Sequence, residues 1–224
     1  MSDAETSPAT IEARTHGRYL VRVPRASEAG RGGPSPLLVG FHGYAESAGD
    51  HLDALQTIPG TGDWLLVSVQ ALHPFYARKD RVVASWMTRN DRDLAIADNV
   101  DYVGRVLARV RADYHTSSTL VFSGFSQGGA MAYRAAAHYP ASGLIVLAAD
   151  LPPDVVERPA VPLPEILLGR GTRDDWYTEN KLAADRATLA RIGARVEVCV
   201  FDGGHEWTEA FRAAAATFLC RVRQ

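Results

Sequence analysis

Six short apolar runs follow one another after Pro36: LLVGF, LLVSV, LVFSG, GLIVLA, EILLG and RVEVCVF. Each is rich in Val, Ile and Leu and bounded by turn-forming residues, as a strand buried on both faces would be. Between them, apolar residues recur at helical spacing over Asp50 to Ile58, Asp91 to Asp113, Gln127 to Tyr139, Glu179 to Ile192 and Glu206 to Val222. Val100, Val103, Val106, Leu107 and Val110, for example, form one stripe. Alternating strands and helices predict an α/β chain with a mostly parallel, doubly wound sheet covered on both faces. Ahead of this pattern, Ile11 to Val23 is rich in β-branched and aromatic residues and broken at His16-Gly17, which predicts an N-terminal antiparallel hairpin.

The rest of the chain reads as connection. Residues 1–9 are polar and aperiodic and are expected to form a loose tail, leaving 10–224 as one domain. Gly, Pro and Ser concentrate in Ala26 to Pro36 and Pro in Leu151 to Pro164, both expected to be loops. Ala71 to Asn90 is the longest irregular stretch, and its length suggests a functional loop.

Composition narrows the partners. With 24 Lys+Arg against 26 Asp+Glu, the net charge of −2 lacks the basic excess of a nucleic-acid surface. The longest apolar run, Leu144 to Ala149, is far short of the roughly 20 residues that span a bilayer. MSDAETSPAT carries neither the basic nor the apolar region of a secretory signal, so a cytoplasmic location is expected. Cys199 and Cys220 stand in no metal-binding or disulfide pattern and are expected to be buried thiols.

The chemistry gathers after the run LVFSG. Gly124-Phe125-Ser126-Gln127-Gly128 fits G-x-S-x-G, with a strand before it and a helix after it. A serine on so sharp a turn leaves no room for side chains two positions either way, which is why glycine flanks it. The bare pattern is weak, and its placement between strand and helix is what makes Ser126 the candidate nucleophile. A serine hydroxyl needs a base and a group to orient that base. His205, in Asp202-Gly203-Gly204-His205, follows the last strand at the end of the sheet where open α/β folds bind ligands, with His42, His51 and His73 as rivals. Asp174 follows EILLG, with Asp175 and Asp150 as rivals. The resulting order Ser126, Asp174, His205 is the α/β-hydrolase order, unlike that of chymotrypsin-like or subtilisin-like enzymes. Two oxyanion donors are then required: the backbone N–H of Gln127 at the positive start of a helix, and that of Tyr44 in the turn after LLVGF.

With these residues in place, FHGYAES, SWM, GFSQGGAMA, GTRDDWYT and DGGHEW resemble, in order, the phospholipase/carboxylesterase family of α/β-hydrolases, which includes acyl-protein thioesterases. The resemblance covers about Pro36 to Val222 and implies the same roles for Ser126, Asp174, His205, Gln127 and Tyr44. Where family members often carry Gly-Asp, this chain has Ala45-Glu46. The expected activity is hydrolysis of carboxylic esters of small or medium acyl chains through an acyl-enzyme, with no metal or cofactor. A thioesterase or lysophospholipase would use the same machinery, and a non-catalytic scaffold that binds a ligand or partner is the reading from another class. The short connection between GLIVLA and EILLG leaves no room for a cap domain. Trp86, Met87, Trp176 and Trp207 are the candidates for an apolar substrate wall, although Trp86 and Trp207 could equally be core.

Overall fold

A seven-stranded sheet organises the chain in the computed structural model, which describes residues 6–24, 33–78, 80–157 and 161–223. Strands β1 (Tyr19–Arg22), β2 (Ser35–Phe41) and β3 (Leu65–Val69) are followed by β4 (His73–Arg78) and β5 (Arg81–Ser85), which pair with each other in a separate two-stranded sheet. The chain returns to the main sheet with β6 (Thr116–Phe125), β7 (Gly143–Leu147), β8 (Glu165–Gly171) and β9 (Val196–Phe201). The order is β1-β3-β2-β6-β7-β8-β9, parallel except for β1, which runs antiparallel to β3 at the edge. All six apolar runs form strands of this sheet. The near-continuous apolar sequences make sense because β3 and β7 are buried along their whole length.

Helices α1 (Ala48–Gln56), α2 (Arg92–Asp113), α3 (Gln127–His138), α4 (Pro153–Glu157), α5 (Glu179–Arg191) and α6 (Glu209–Val222) connect or follow the strands. α1 starts at a capping box in which Ser47 and Asp50 satisfy each other's backbone amides. From β2 the chain moves outward to β3, then crosses back to place β6 on the other flank of β2. Right-handed crossovers therefore put α1 on one face and α3 and α5 on the other. α6 shares the α1 face: His51 of α1 meets Trp207 at 6.0 Å between ring centroids, and Trp207 meets Phe211 of α6 at 5.4 Å. Fully buried Phe41, Phe122, Phe211 and Phe218 fill the layers, each side chain contributing roughly 1.5–3 kcal/mol by burial.

Four expectations give way. The N-terminal hairpin does not form: residues 6–18 have no regular structure, and only Tyr19–Arg22 is a strand, paired with β3. Gly17 serves a close approach rather than a turn. A Cβ there would run into the ring of Tyr102, whose hydroxyl donates to Arg18 O at 2.6 Å. Ala71 to Asn90 is not irregular, since it holds the β4–β5 hairpin. The loop expected over Leu151 to Pro164 contains α4, with 158–160 outside the described residues. Cys220 is exposed and Cys199 only half-buried, so neither is the buried thiol expected. Of the expected tail and the Ala26 to Pro36 loop, 1–5 and 26–32 lie outside the described residues.

Candidate active site

The sheet order reverses between β2 and β6, and a crevice opens where neighbouring parallel strands send their following segments to opposite faces. The carboxyl end of β2 delivers His42-Gly43-Tyr44, and that of β6 delivers Ser126. Ser126 adopts φ 52° and ψ −124°, a conformation costly for a residue with a Cβ and held here by its surroundings. Its N–H donates to Leu147 O of β7 at 2.9 Å, and its carbonyl accepts from Gly129 N–H at 2.8 Å. The glycines are steric necessities. A Cβ on Gly124 would strike the Gly128 carbonyl, and one on Gly128 would strike the carbonyls of Phe41 and His42.

The loops after β8 and β9 are pressed together in the same way, because a Cβ on Gly171 would meet the backbone of Gly203 and Gly204. Thr172 N–H donates to Phe201 O at 2.9 Å and Arg173 N–H to Gly203 O at 2.8 Å, while Arg173 and Asp202 form an ion pair across the seam. This seam brings Asp174 to His205. Asp174 Oδ2 accepts from His205 Nδ1 at 2.9 Å, and Asp174 Oδ1 accepts from the N–H groups of Trp176 and Tyr177, each at 2.8 Å. The carboxylate is fully buried, and its hydrogen bonds to two backbone N–H groups and the imidazole fix its orientation toward one ring nitrogen. With Nδ1 turned to the carboxylate, Nε2 is left without a hydrogen-bond partner among the described residues. The Phe125 ring supports the imidazole at 4.9 Å.

Among the described residues, no other histidine pairs with a carboxylate. His42 is buried and accepts at Nε2 from Ala71 N–H at 3.1 Å, which fixes its proton on Nδ1, donating to Gly43 O at 2.7 Å. Burial lowers its pKa, the Gly43 bond opposing. His51 is buried and His73 lies exposed on β4. Of the rival acids, Asp150 pairs with Lys181 at 3.2 Å and Asp175 is exposed.

Ser126, His205 and Asp174 line one cavity of about 890 Å³, together with Tyr44, Gln127, Met87 and Trp176. Ala130, Ala149, Leu151, Pro152 and Pro153 give it an apolar wall, and Arg92 and Arg134 bring charge to it. The Ser126 hydroxyl makes no hydrogen bond among the described residues, and Ser126 and His205 line the same cavity. The backbone N–H groups of Tyr44 and Gln127 are likewise uncommitted among the described residues.

Trp86 and Trp207 are not among the residues that line this cavity. Trp86 is core: its indole N–H donates to His42 O at 2.8 Å, and its ring meets Phe41 edge-on at 5.4 Å and lies tilted against His42 at 5.3 Å. Trp207 packs between His51 and Phe211. Sequence reasoning also missed what the Gln127 side chain does. Its Oε1 accepts from Trp86 N–H at 2.9 Å and Ser85 Oγ at 3.2 Å, and its Nε2 donates to Met87 O at 3.0 Å, tying the turn at Ser126 to the end of β5. No local signal marks that contact. Among the described residues no cluster of three or more His, Cys, Asp or Glu is placed to hold a metal, and no helix is long and apolar enough to cross a membrane.

The architecture matches solved structures across nearly the whole chain. The esterase PE8 structure superposes with a TM-score of 0.71 at 22% identity, covering 92% of this chain and 98% of that one. The Bacillus cereus carboxylesterase gives 0.70 at 15% identity, with 92% and 94% covered. The Zea mays acyl-protein thioesterase 2 gives 0.73 at 18% identity, with 93% and 100% covered. The chain has the α/β-hydrolase fold. At these identities the likeness is one of architecture, and no family model or curated protein matches the sequence. Within that fold, β1 is the antiparallel edge, and among the described residues the β7–β8 connection carries only α4 and no cap.

Proposed function

We propose that this α/β-hydrolase-fold chain is a serine hydrolase of the phospholipase/carboxylesterase kind, cleaving carboxylic esters of small or medium acyl chains. The observation that carries the reading is the 2.9 Å bond from His205 to buried Asp174, on the same cavity as Ser126 at its strained turn. Ser126 Oγ attacks the ester carbonyl carbon while His205 Nε2 takes the hydroxyl proton, and Asp174 stabilises the imidazolium that results. The oxyanion is met by the backbone N–H groups of Tyr44 and Gln127, the latter at the positive start of α3. Collapse of the tetrahedral intermediate breaks the C–O bond to the alcohol, which leaves with the proton from His205. Water, deprotonated by the same imidazole, then releases the acid and restores Ser126. The chemistry needs neither metal nor organic cofactor.

The apolar lining that Met87 and Trp176 contribute suits an acyl chain, and two structural neighbours, a carboxylesterase and an acyl-protein thioesterase, agree with an acyl-transfer reading. The thioesterase name favours a second reading with the same triad, separated by matched oxygen-ester and thioester substrates. The test of the main proposal is p-nitrophenyl butyrate hydrolysis. Ser126→Ala should lower kcat by roughly 10⁶-fold. A variant that keeps most of its turnover would reject the assignment.

A further inference from the structure

The turn after β2 carries a carboxylate that the proposed reaction does not yet use. Glu46 folds back over its own loop, and its Oε2 accepts from Gly43 N–H at 2.7 Å. That contact is close-packed: a Cβ on Gly43 would lie 3.1 Å from Glu46 Oε2 and 3.1 Å from the Phe125 ring, which itself rests against His205. The backbone of Glu46 is clamped to β5, since Ala84 N–H donates to Glu46 O at 2.9 Å and Ala45 N–H donates to Ala84 O at 3.1 Å. Ala45 takes up the bend with φ 59°.

We propose that Glu46 is a positioning residue for the hydrolytic centre: it fixes the Gly43 amide, and through it the aim of the Tyr44 N–H, and sets a negative charge facing His205. The inference rests on the serine-hydrolase reading. Its geometry follows from peptide planarity. Gly43 O accepts from His42 Nδ1 at 2.7 Å and from Glu46 N–H at 3.3 Å, and Gly43 N–H donates to the Glu46 carboxylate, so both peptide planes flanking Gly43 are tied and Glu46 reaches each of them. The Tyr44 N–H, trans to the Gly43 carbonyl, then points away from His42 in one direction only. A donor fixed before the reaction needs no reorganisation when the oxyanion forms.

The charge has the second effect. The charged and titratable groups that act on Glu46 are Asp50 of α1, Arg81 of β5 and His205, the last reached past the Phe125 ring, which packs beside Gly43 and against His205 at 4.9 Å. Arg81 is committed to Asp50 by two contacts of 2.9 and 3.0 Å, so among the described residues Glu46 has no ion-pair partner of its own. Burial and Asp50 push its carboxyl above the ordinary range, while the Gly43 bond, His205 and Arg81 hold it down. As an anion, Glu46 attracts His205 most when the imidazole has taken the serine proton, which is when that attraction aids the reaction.

The experiment measures kcat and KM for p-nitrophenyl butyrate from pH 5 to 9 in the full chain and in Glu46→Ala and Glu46→Gln. Glu46→Ala should lose about 10–100-fold in kcat with KM changed less than threefold, below the 10²–10³-fold cost of deleting an oxyanion donor outright. Glu46→Gln, whose amide oxygen can still accept from Gly43, should keep at least half of the parent kcat. Its acid limb in kcat/KM should lie at lower pH than that of the parent, because the charge facing His205 is gone. An unchanged Glu46→Ala, or a Glu46→Gln as impaired as Glu46→Ala with an unmoved acid limb, overturns the inference. If Glu46→Ala does not fold by circular dichroism, Glu46→Asp, one methylene short of Gly43, takes its place with the same expected loss. A parent chain inert toward esters would instead defeat the serine-hydrolase reading, so the two failures are distinguishable.

Discussion

Three histidines show how surroundings, rather than residue type, assign a role. His205 faces a buried carboxylate and keeps one nitrogen free, which suits a base. His42 is fixed in one neutral tautomer by donating to Gly43 O and accepting from Ala71 N–H, which suits a brace. His51 has neither ring nitrogen hydrogen-bonded among the described residues, and burial lowers its pKa to about 3. The unfolded chain takes up a proton at such a group near pH 6.5, where the folded chain does not, so stability is full above that pH and falls as pH drops toward 3. The slope from this one group reaches as much as about 1.4 kcal/mol per pH unit. Urea unfolding of His51→Leu should therefore show a shallower loss of stability than the parent between pH 6.5 and 4. Parallel curves for the two would contradict the assignment of His51 as a buried neutral group.

At the scale of elements, the strand-to-loop junctions carry the site, and glycine lets them approach. Gly128→Ala would push a methyl into the carbonyls ending β2 and should lower Tm by about 2–10 °C, with loss of ester hydrolysis; an unchanged Tm would count against the close contact of β2 and α3. These junctions are also what the sequence makes most legible. Short apolar runs bounded by turn signals fit strands of a covered sheet, and the glycine spacing around Ser126 takes its steric meaning from the strand before it and the helix after it. Asp174 and His205 follow from their positions after β8 and β9. The β4–β5 hairpin is hidden because most of its residues are exposed and its turn, at Asp80, is charged, so no apolar alternation announces it. Trp86 is hidden for another reason. Its burial depends on an indole partner, His42 O, supplied by a strand over forty residues away. Glu46 and the Gln127 side chain are silent in the same way, since their contacts exist only once the loops meet.

Across the whole molecule, the reversal of strand order beside β2 gathers segments from four strand ends around one cavity. Their contributions are complementary: donors from the turns after β2 and β6, a carboxylate after β8, and an imidazole after β9. Exposed side chains of Tyr44 and Trp176 stand at that cavity. The central claim is that this assembly makes the Ser126 oxygen nucleophilic. Treatment of the folded chain with a fluorophosphonate probe, followed by peptide mass spectrometry, measures that property alone. The prediction is one covalent phosphonyl adduct on Ser126, abolished in Ser126→Ala and strongly slowed in His205→Ala. A folded chain that stays unlabelled, or is labelled equally well at another residue, would contradict it.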